Sequence, residues 1–413
     1  MTEPKRSPLL PLDDALARLL AVAAPLPGVE SVAVGDADGR GLAQDVVSAL
    51  HVPPQDNSSM DGYAVCCADL GAPGVLLPVS QRIPAGASGA PLQSGTVARI
   101  FTGAPVPQGA DAIVMQEDCT SVEGTSTPQV QINVLPTPGQ YIRRAGEDVV
   151  RGDVVLASGQ RLGPAELGLA ASIGLASLNV ARRPRVALFS TGDELVMPGT
   201  VAPQDMPPGA IYNSNRFFLS ALLRRMGCEV TDLGIVPDQR EATVQALRDA
   251  AQSHDVILTS GGVSVGEEDH IKPAVQSLGT LDLWQIAIKP GKPFAHGRIG
   301  AAHFLGLPGN PVSSFVTFLV LVRPFLLQLQ GARQVAIKTV AARADFTWAR
   351  PDKRREFLRV RRNDQGGLDL FSNQSSGVLT SAVWGDGLVD NPPGCAIAPG
   401  DVVRYVSFSE LLA

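Results

Sequence analysis

Carboxylates collect where apolar runs end. The run Val186–Phe189 leads into Ser190-Thr191-Gly192-Asp193-Glu194, and Val230–Val236 leads into Pro237-Asp238. Asp255-Val256-Ile257-Leu258 leads into Thr259-Ser260-Gly261-Gly262-Val263-Ser264-Val265-Gly266-Glu267-Glu268-Asp269-His270. Three glycines in that last stretch permit positive φ and close approach of backbone to a ligand. Hard carboxylate oxygens at neighbouring strand ends suit Mg²⁺, which takes one or two carboxylates plus substrate phosphates. An acid after a strand is also a common N-cap, and a glycine-rich acidic loop can be plain solvated surface. Repetition at three strand ends favours a site.

Two loops suit anions. Leu307-Pro308-Gly309-Asn310-Pro311-Val312-Ser313-Ser314 joins a strand to a helix, with Asn310 as a good N-cap and Pro311 at the first helical position. Such a helix start offers free N–H groups and its positive dipole end to a phosphate, although an ordinary capped helix reads the same way. It is not a Walker loop, because no Lys follows Gly309 in the required place. Ile288-Lys289-Pro290-Gly291-Lys292-Pro293-Phe294 holds two stiffened lysines that could face one anion, or could simply be solvated. There is no GxSxG, no GxGxxG and no Ser/His/Asp order, which disfavours a covalent hydrolase or a nicotinamide enzyme. His270, His296 and His303 lack ligand spacing and read as structural.

The elements that must position these residues follow from pattern. Leu12 to Ala24 has helical apolar spacing, with Asp13 and Asp14 in its first turn and Pro25 beyond it. Val29–Val34 and Leu42–Val47 are strand-like. From there to Val150, short strands such as Val97–Phe101, Ala112–Gln116 and Val130–Leu135 alternate with Gly/Pro turns, predicting a small barrel-like β domain. Val154–Leu156 is a further strand, followed by a helix from Pro164 to Ile173. From Arg185, strands and helices alternate: helices over Arg216–Met226 and Glu241–Gln252 and from Pro311, with strands at Trp284–Ile288 and His303–Leu307. That alternation predicts a doubly wound, mainly parallel α/β sheet. Beyond Val335, Phe357–Arg361, Leu368–Phe371 and Val402–Val406 predict a small terminal β domain.

The 413 residues suggest about three domains, and 45% hydrophobic with 18% charged residues suits a globular chain. A formal charge of −6 leaves no basic footprint for nucleic acid. The longest apolar stretch, Phe315 to Leu327, is interrupted by Arg323-Pro324, so no membrane span is expected. The N-terminus has no h-region, and five cysteines without a CxxC read as reduced thiols, which together suggest a cytoplasmic protein.

These stretches, taken in order, resemble the molybdopterin molybdenumtransferase (MoeA) family, which includes the E domains of gephyrin and of plant Cnx proteins. The resemblance rests on Ser58-Ser59-Met60-Asp61-Gly62-Tyr63-Ala64, Phe101-Thr102-Gly103-Ala104, Gly109-Ala110-Asp111-Ala112 and Arg143-Arg144-Ala145-Gly146-Glu147-Asp148. It continues through Ser190-Thr191-Gly192-Asp193-Glu194-Leu195, the Thr259–His270 stretch, and the Lys289–Pro293 and Leu307–Val312 loops. It implies an enzyme that inserts molybdenum from molybdate at the dithiolene of adenylyl-molybdopterin and releases AMP, with Mg²⁺ at the phosphates. It implies multidomain α/β plus β architecture: an elongated first domain from 1–48 and 150–183, an inserted β domain at 49–149, a molybdopterin-binding α/β domain at 184–332 and a C-terminal β-barrel at 333–413.

The resemblance also distributes roles. Asp61, Thr102, Arg143 and Asp148 belong to the β-domain side of a cleft. Glu194, Asp238 and Asp269 belong to the α/β side as metal and catalytic residues, with Gly261, Gly262, Ser264, Pro308, Gly309, Asn310 and Pro311 holding substrate. Lys289, Lys292, Arg354 and Ser376 hold molybdate. Family members form twofold dimers with shared active sites, so a homodimer is implied, and other cofactor-biosynthesis proteins are possible partners. Two positions depart from the pattern: Gln285 stands where many members have Lys, and Ser375 where Gly is common. A molybdopterin adenylyltransferase and a non-catalytic, gephyrin-like scaffold are the alternatives.

Overall fold

The computed structural model describes residues 9–122, 127–263 and 270–412. Its central unit is a six-stranded mixed sheet. In spatial order the strands are Glu229–Val236, Arg185–Thr191, Val256–Ser260, Ala302–Leu307, Pro293–Ile299 and Gly279–Gln285. The first four run parallel, Pro293–Ile299 runs against them, and Gly279–Gln285 pairs antiparallel with Pro293–Ile299. Val256–Ser260 and Ala302–Leu307 are buried throughout, which is why they read as unbroken apolar runs rather than alternating ones. Helices Asn215–Arg225, Arg240–Ser253 and Ile271–Leu278 pack around the sheet. The antiparallel strand Pro293–Ile299 and the helix Ile271–Leu278 were not legible in the sequence; the first is a mixed run containing His296, Gly297 and Arg298. The expected strand Trp284–Ile288 divides between two sheets: Trp284 and Gln285 end one, and Ile288–Lys289 joins another.

The buried apolar segment from Pro311 to Leu329 is helical over its whole length, continuing through Pro324. A proline inside a helix has no N–H to give and crowds the preceding turn. Here a π-helical turn, Phe318–Val322, precedes it and absorbs the mismatch. The segment is long and apolar enough to cross a bilayer, but 89% of it is buried inside the protein, so it serves as a core helix. Against it lies helix Leu12–Ala21, whose Leu12, Ala15 and Leu19 enter this same core. That helix therefore packs with the α/β unit rather than with the 29–181 unit that follows it in the chain.

That second unit is built from separate chain segments. Val29–Ala33 pairs with Ser177–Ala181, and Val46–Val47 with Val154–Leu156, around Leu42, Leu156, Leu162 and Val180. Between them sits a six-stranded β unit, in the order Ala112–Met115, Gly62–Val65, Val97–Ile100, Val75–Ile83, Gln129–Ile132, Cys119–Val122. Its edge strands do not pair with each other among the described residues, so the sheet is open rather than the barrel expected. The C-terminal sheet does close: Arg355–Arg362, Gly367–Leu370, Val340–Ala344, Val402–Ser407 and Gly387–Asn391 form a ring of five. Ile288–Lys289 adds to it as a sixth strand, beside Arg355–Glu356.

His296 and His303 are buried beside Phe325, and Arg298 Nη1 lies 2.9 Å from His303 Nε2. Burial, then the charge of Arg298 and the neighbouring His296, hold the His303 imidazole down to about 4, and the Asp255 carboxylate acts weakly the other way. His296 is lowered too, by burial, with Asp282 opposing. The unfolded chain takes up the His303 proton from about pH 6.5 downward and the folded one only near 4, so stability falls as pH drops through that window, and His296 acts in the same direction. Urea midpoints at pH 7 and pH 5 should show this fall, and a His303→Gln chain, which keeps an acceptor for Arg298, should show a shallower one.

Candidate functional site

The three central parallel strands end level with one another: Ser190 is in register with Ser260, and Ser260 with Leu307. A crevice outside the carboxyl ends of such strands is where open α/β sheets bind ligands. Gly261 and Gly262 follow with φ of 93° and 68°, a conformation that other residues rarely adopt. A Cβ at Gly262 would run into Ile271 and Thr191, so glycine is required for space as well. The Gly261 N–H donates to the Leu307 carbonyl at 3.1 Å and fixes the turn against the next strand end.

Around these ends lies a pocket of about 590 Å³, within the usual range for small-molecule sites. Ser190, Glu194, Gly261, Pro308, Gly309, Asn310 and Pro311 line it, with Pro293 from the lysine loop and Gly377 from the C-terminal barrel. Asn215, also in the wall, donates from Nδ2 to Ser260 Oγ and to the Gly309 carbonyl, both at 2.7 Å. It thereby ties a helix start, a strand end and the Pro308-Gly309 turn together. Ser314 Oγ caps the same turn by donating to the Pro308 carbonyl. Ser190 Oγ and Asn213 Nδ2, of residues that line the pocket, are buried and have no partner among the described residues. Buried polar atoms without partners are costly, and a bound ligand would satisfy these two. Sequence reading passed over Asn213 and Asn215; the Asn-Ser-Asn stretch before a helix was the available signal, and it reads as capping.

The helix start differs from expectation. Asn310 occupies the N-cap position but makes no side-chain cap bond. The Val312 N–H already donates to the Ser376 carbonyl at 2.9 Å. Ser376 thus meets the α/β unit through its backbone, and one expected free donor is taken.

The lysine loop also differs. Lys289 Nζ lies 3.2 Å from Glu356 and 3.7 Å from Asp352. Arg354 grips Asp352 with two bonds, at 2.8 and 2.7 Å. Those hydrogen bonds hold the Asp352 carboxyl well below the usual range, and Arg354 is raised by the same contact. Glu356 is fully buried and also accepts from Trp348 Nε1 at 2.8 Å and the Asp352 N–H at 3.1 Å. Lys289 and Arg354 are therefore neutralised by the chain's own acids. Lys292, half-buried next to the pocket-lining Pro293, pairs with no acid among the described residues.

The remaining expectations separate. Glu194 lines the pocket, whereas Gly262 and Asp238 do not. Ser264 and Asp269, with Glu267 and Glu268, lie outside the described residues. No group of three metal-ligating side chains occurs among the described residues. Asp61 Oδ1 accepts from the Thr102 N–H at 2.8 Å and Thr102 Oγ1 at 2.7 Å, and these bonds lower its pKa. The Ser58 N–H donates to the Ala104 carbonyl, the Gly103 N–H to the Ser58 carbonyl and the Ser59 N–H to the Tyr141 carbonyl, so the Asp61, Thr102 and Arg143 loops share one end of the open β unit. Asp61, Thr102, Arg143 and Asp148 are exposed there, and none of them lines the pocket at the sheet edge.

A small-molecule-sized pocket at the carboxyl edge of an α/β sheet, in a chain that also carries a discontinuous unit, an open β unit and a closed barrel, defines a MoeA-type protein. Residues 10–174 match the MoeA N-terminal region (domain I and II), 187–328 a probable molybdopterin binding domain, and 341–408 the MoeA C-terminal region (domain IV). The chain is 43% identical over 382 residues to the molybdopterin molybdenumtransferase of Haemophilus influenzae, covering 88% of this chain and 89% of that protein. It is 38% identical to molybdopterin molybdenumtransferase 2 of Mycobacterium tuberculosis, covering 92% and 93%. Two crystal structures of the molybdopterin biosynthesis MoeA protein of Pyrococcus horikoshii superpose with TM-scores of 0.77 and 0.84, at 31% and 27% identity, over 97% of this chain and 99% and 100% of those chains. The chain belongs to the molybdopterin molybdenumtransferase family.

Proposed function

We propose that this protein is a molybdopterin molybdenumtransferase: it inserts molybdenum from molybdate into the dithiolene of adenylyl-molybdopterin and releases AMP. The observation that carries the reading is the sheet-edge pocket, which joins Glu194, the Pro308–Pro311 turn and two unpartnered buried polar atoms to the lysine loop and the barrel. The phosphates and pterin bind along the sheet edge, and molybdate binds toward Lys292, Lys289, Arg354 and Ser376. A Mg²⁺ held by Glu194, with Asp238 and Asp269 as the further acids that the family resemblance assigns to it, would neutralise charge on the phosphates. Family matches on both sides of residues 187–328 weigh against a lone adenylyltransferase domain. The test is AMP release from adenylyl-molybdopterin by purified protein: it should require molybdate, whereas adenylylation of molybdopterin by ATP with release of pyrophosphate would count for the adenylyltransferase.

Asp352 is part of this reading, because it competes with molybdate for Arg354 and Lys289. At about 4 Å a unit charge acts with about 4 kcal/mol at an effective dielectric near 20, and partial solvent exposure reduces that to about 1–2. Asp352→Asn should therefore lower the molybdate concentration for half-maximal AMP release by about tenfold.

The active protein is a cytoplasmic homodimer whose sites are shared, with Asp61, Thr102, Arg143 and Asp148 of one chain facing the sheet-edge pocket of the other. The support is their exposure at one end of the β unit, away from the pocket wall of their own chain.

A further inference from the structure

A second cavity, of about 560 Å³, lies between the Ala157–Arg161 turn, the end of the core helix and the segment after it. It shares no lining residue with the sheet-edge pocket. Arg161, Arg323, Arg333 and Lys338 line it, and no Asp or Glu among the described residues does. In a chain of net charge −6, such a concentration of cations needs a reason.

Two of the guanidiniums are drawn well out of water. Burial lowers the pKa of both Arg161 and Arg323, and Arg161 lowers Arg323 further. Arg323 donates from Nε to the Leu411 carbonyl at 3.0 Å, but its Nη1 is buried with no partner among the described residues. Arg161 bonds the Arg225 carbonyl at 3.2 Å. The neighbouring acids do not close the gap. Asp38 and Glu410 act only through space, and Asp45 is 3.9 Å from Arg333 and already accepts the Ser158 N–H at 2.7 Å. Like charges placed together, with a donor left unmade, are unfavourable unless an anion arrives. Beyond Arg161 a smaller cavity, lined also by Asp38, adds Arg183, Arg224 and Arg225, with Arg40 paired to Glu30, and its balance is still positive.

We propose that this cavity binds the phosphate group of a small molecule. Guanidinium pairs suit a phosphate dianion, which accepts several charge-assisted bonds at once. The phosphate sits on Arg161 and Arg323, Arg333 and Lys338 close its outer side, and the organic part lies against Gly159, Leu327 and Ala332.

Calorimetry of the full chain with inorganic phosphate, at ionic strength fixed with chloride, tests this, and AMP and glycerol phosphate in parallel distinguish a free ion from an esterified ligand. Wild type should bind phosphate. Arg161→Gln, and the double variant Arg333→Gln/Lys338→Gln, should each bind about tenfold or more weakly, while molybdate-dependent AMP release stays at the wild-type rate. The double variant alters only exposed side chains, so it decides the matter if Arg161→Gln fails to fold. Wild-type phosphate affinity in the double variant, or no phosphate binding by wild type, would overturn the proposal.

Discussion

Glu194→Gln should leave the protein folded and reduce AMP release by about 10²–10³-fold, the loss typical when a preorganised charge-stabilising group is removed. Glu194 is the acid that lines the sheet-edge pocket among the described residues, and it sits on a strand-end turn whose Gly192 leaves space for its carboxylate. Gln keeps the shape and removes the charge, so a hard cation loses its anionic ligand while the pocket wall remains. The Mg²⁺ concentration for half-maximal activity should rise in step with the loss of rate. Near-wild-type turnover with an unchanged Mg²⁺ requirement would remove Glu194 from the metal assignment.

The second expectation concerns the two separated clusters. Asp61→Ala should be inactive alone, since it releases the Thr102 loop and removes a charge from the exposed end of the β unit. If sites are shared, mixing Asp61→Ala with Glu194→Gln by co-expression restores activity. In a mixed dimer one site collects both changes and the other neither. Random reassortment gives about half mixed dimers, each with one intact site of two, so recovery approaches about a quarter of wild type. Verified mixed dimers that stay inactive would place each site within one chain.

Much of this architecture was legible because its signals are local. Buried parallel strands read as apolar runs, and the acids and glycines that follow them mark the ligand edge before any pairing is known. What escaped is long-range. Ile288–Lys289 reads as part of a loop in the α/β region, yet it joins the barrel beside Glu356, because strand partners far apart in sequence leave no period. For the same reason the lysines looked free: the acids that neutralise Lys289 come from the far side of the core helix. The arginine cavity draws on Arg161 and Arg323, and nothing in either local stretch points to the other. Arg323-Pro324 looked like an interruption of the apolar stretch, since a π turn that absorbs a proline has no composition of its own.

The docking of Leu12–Ala21 on the core helix has a consequence for how the chain is made. Gln328 Nε2 donates to the Leu20 and Ala23 carbonyls, each at 2.9 Å, so the partner that closes this helix lies near the end of the α/β unit. At about 5–20 residues per second, the first helix waits on the order of 15–60 s after synthesis for that partner to be made. Throughout that wait the face bearing Leu12, Ala15 and Leu19 is uncovered. A nascent chain halted before Pro311 should therefore remain bound to chaperones, and one extended past Leu329 and clear of the ribosome should be released.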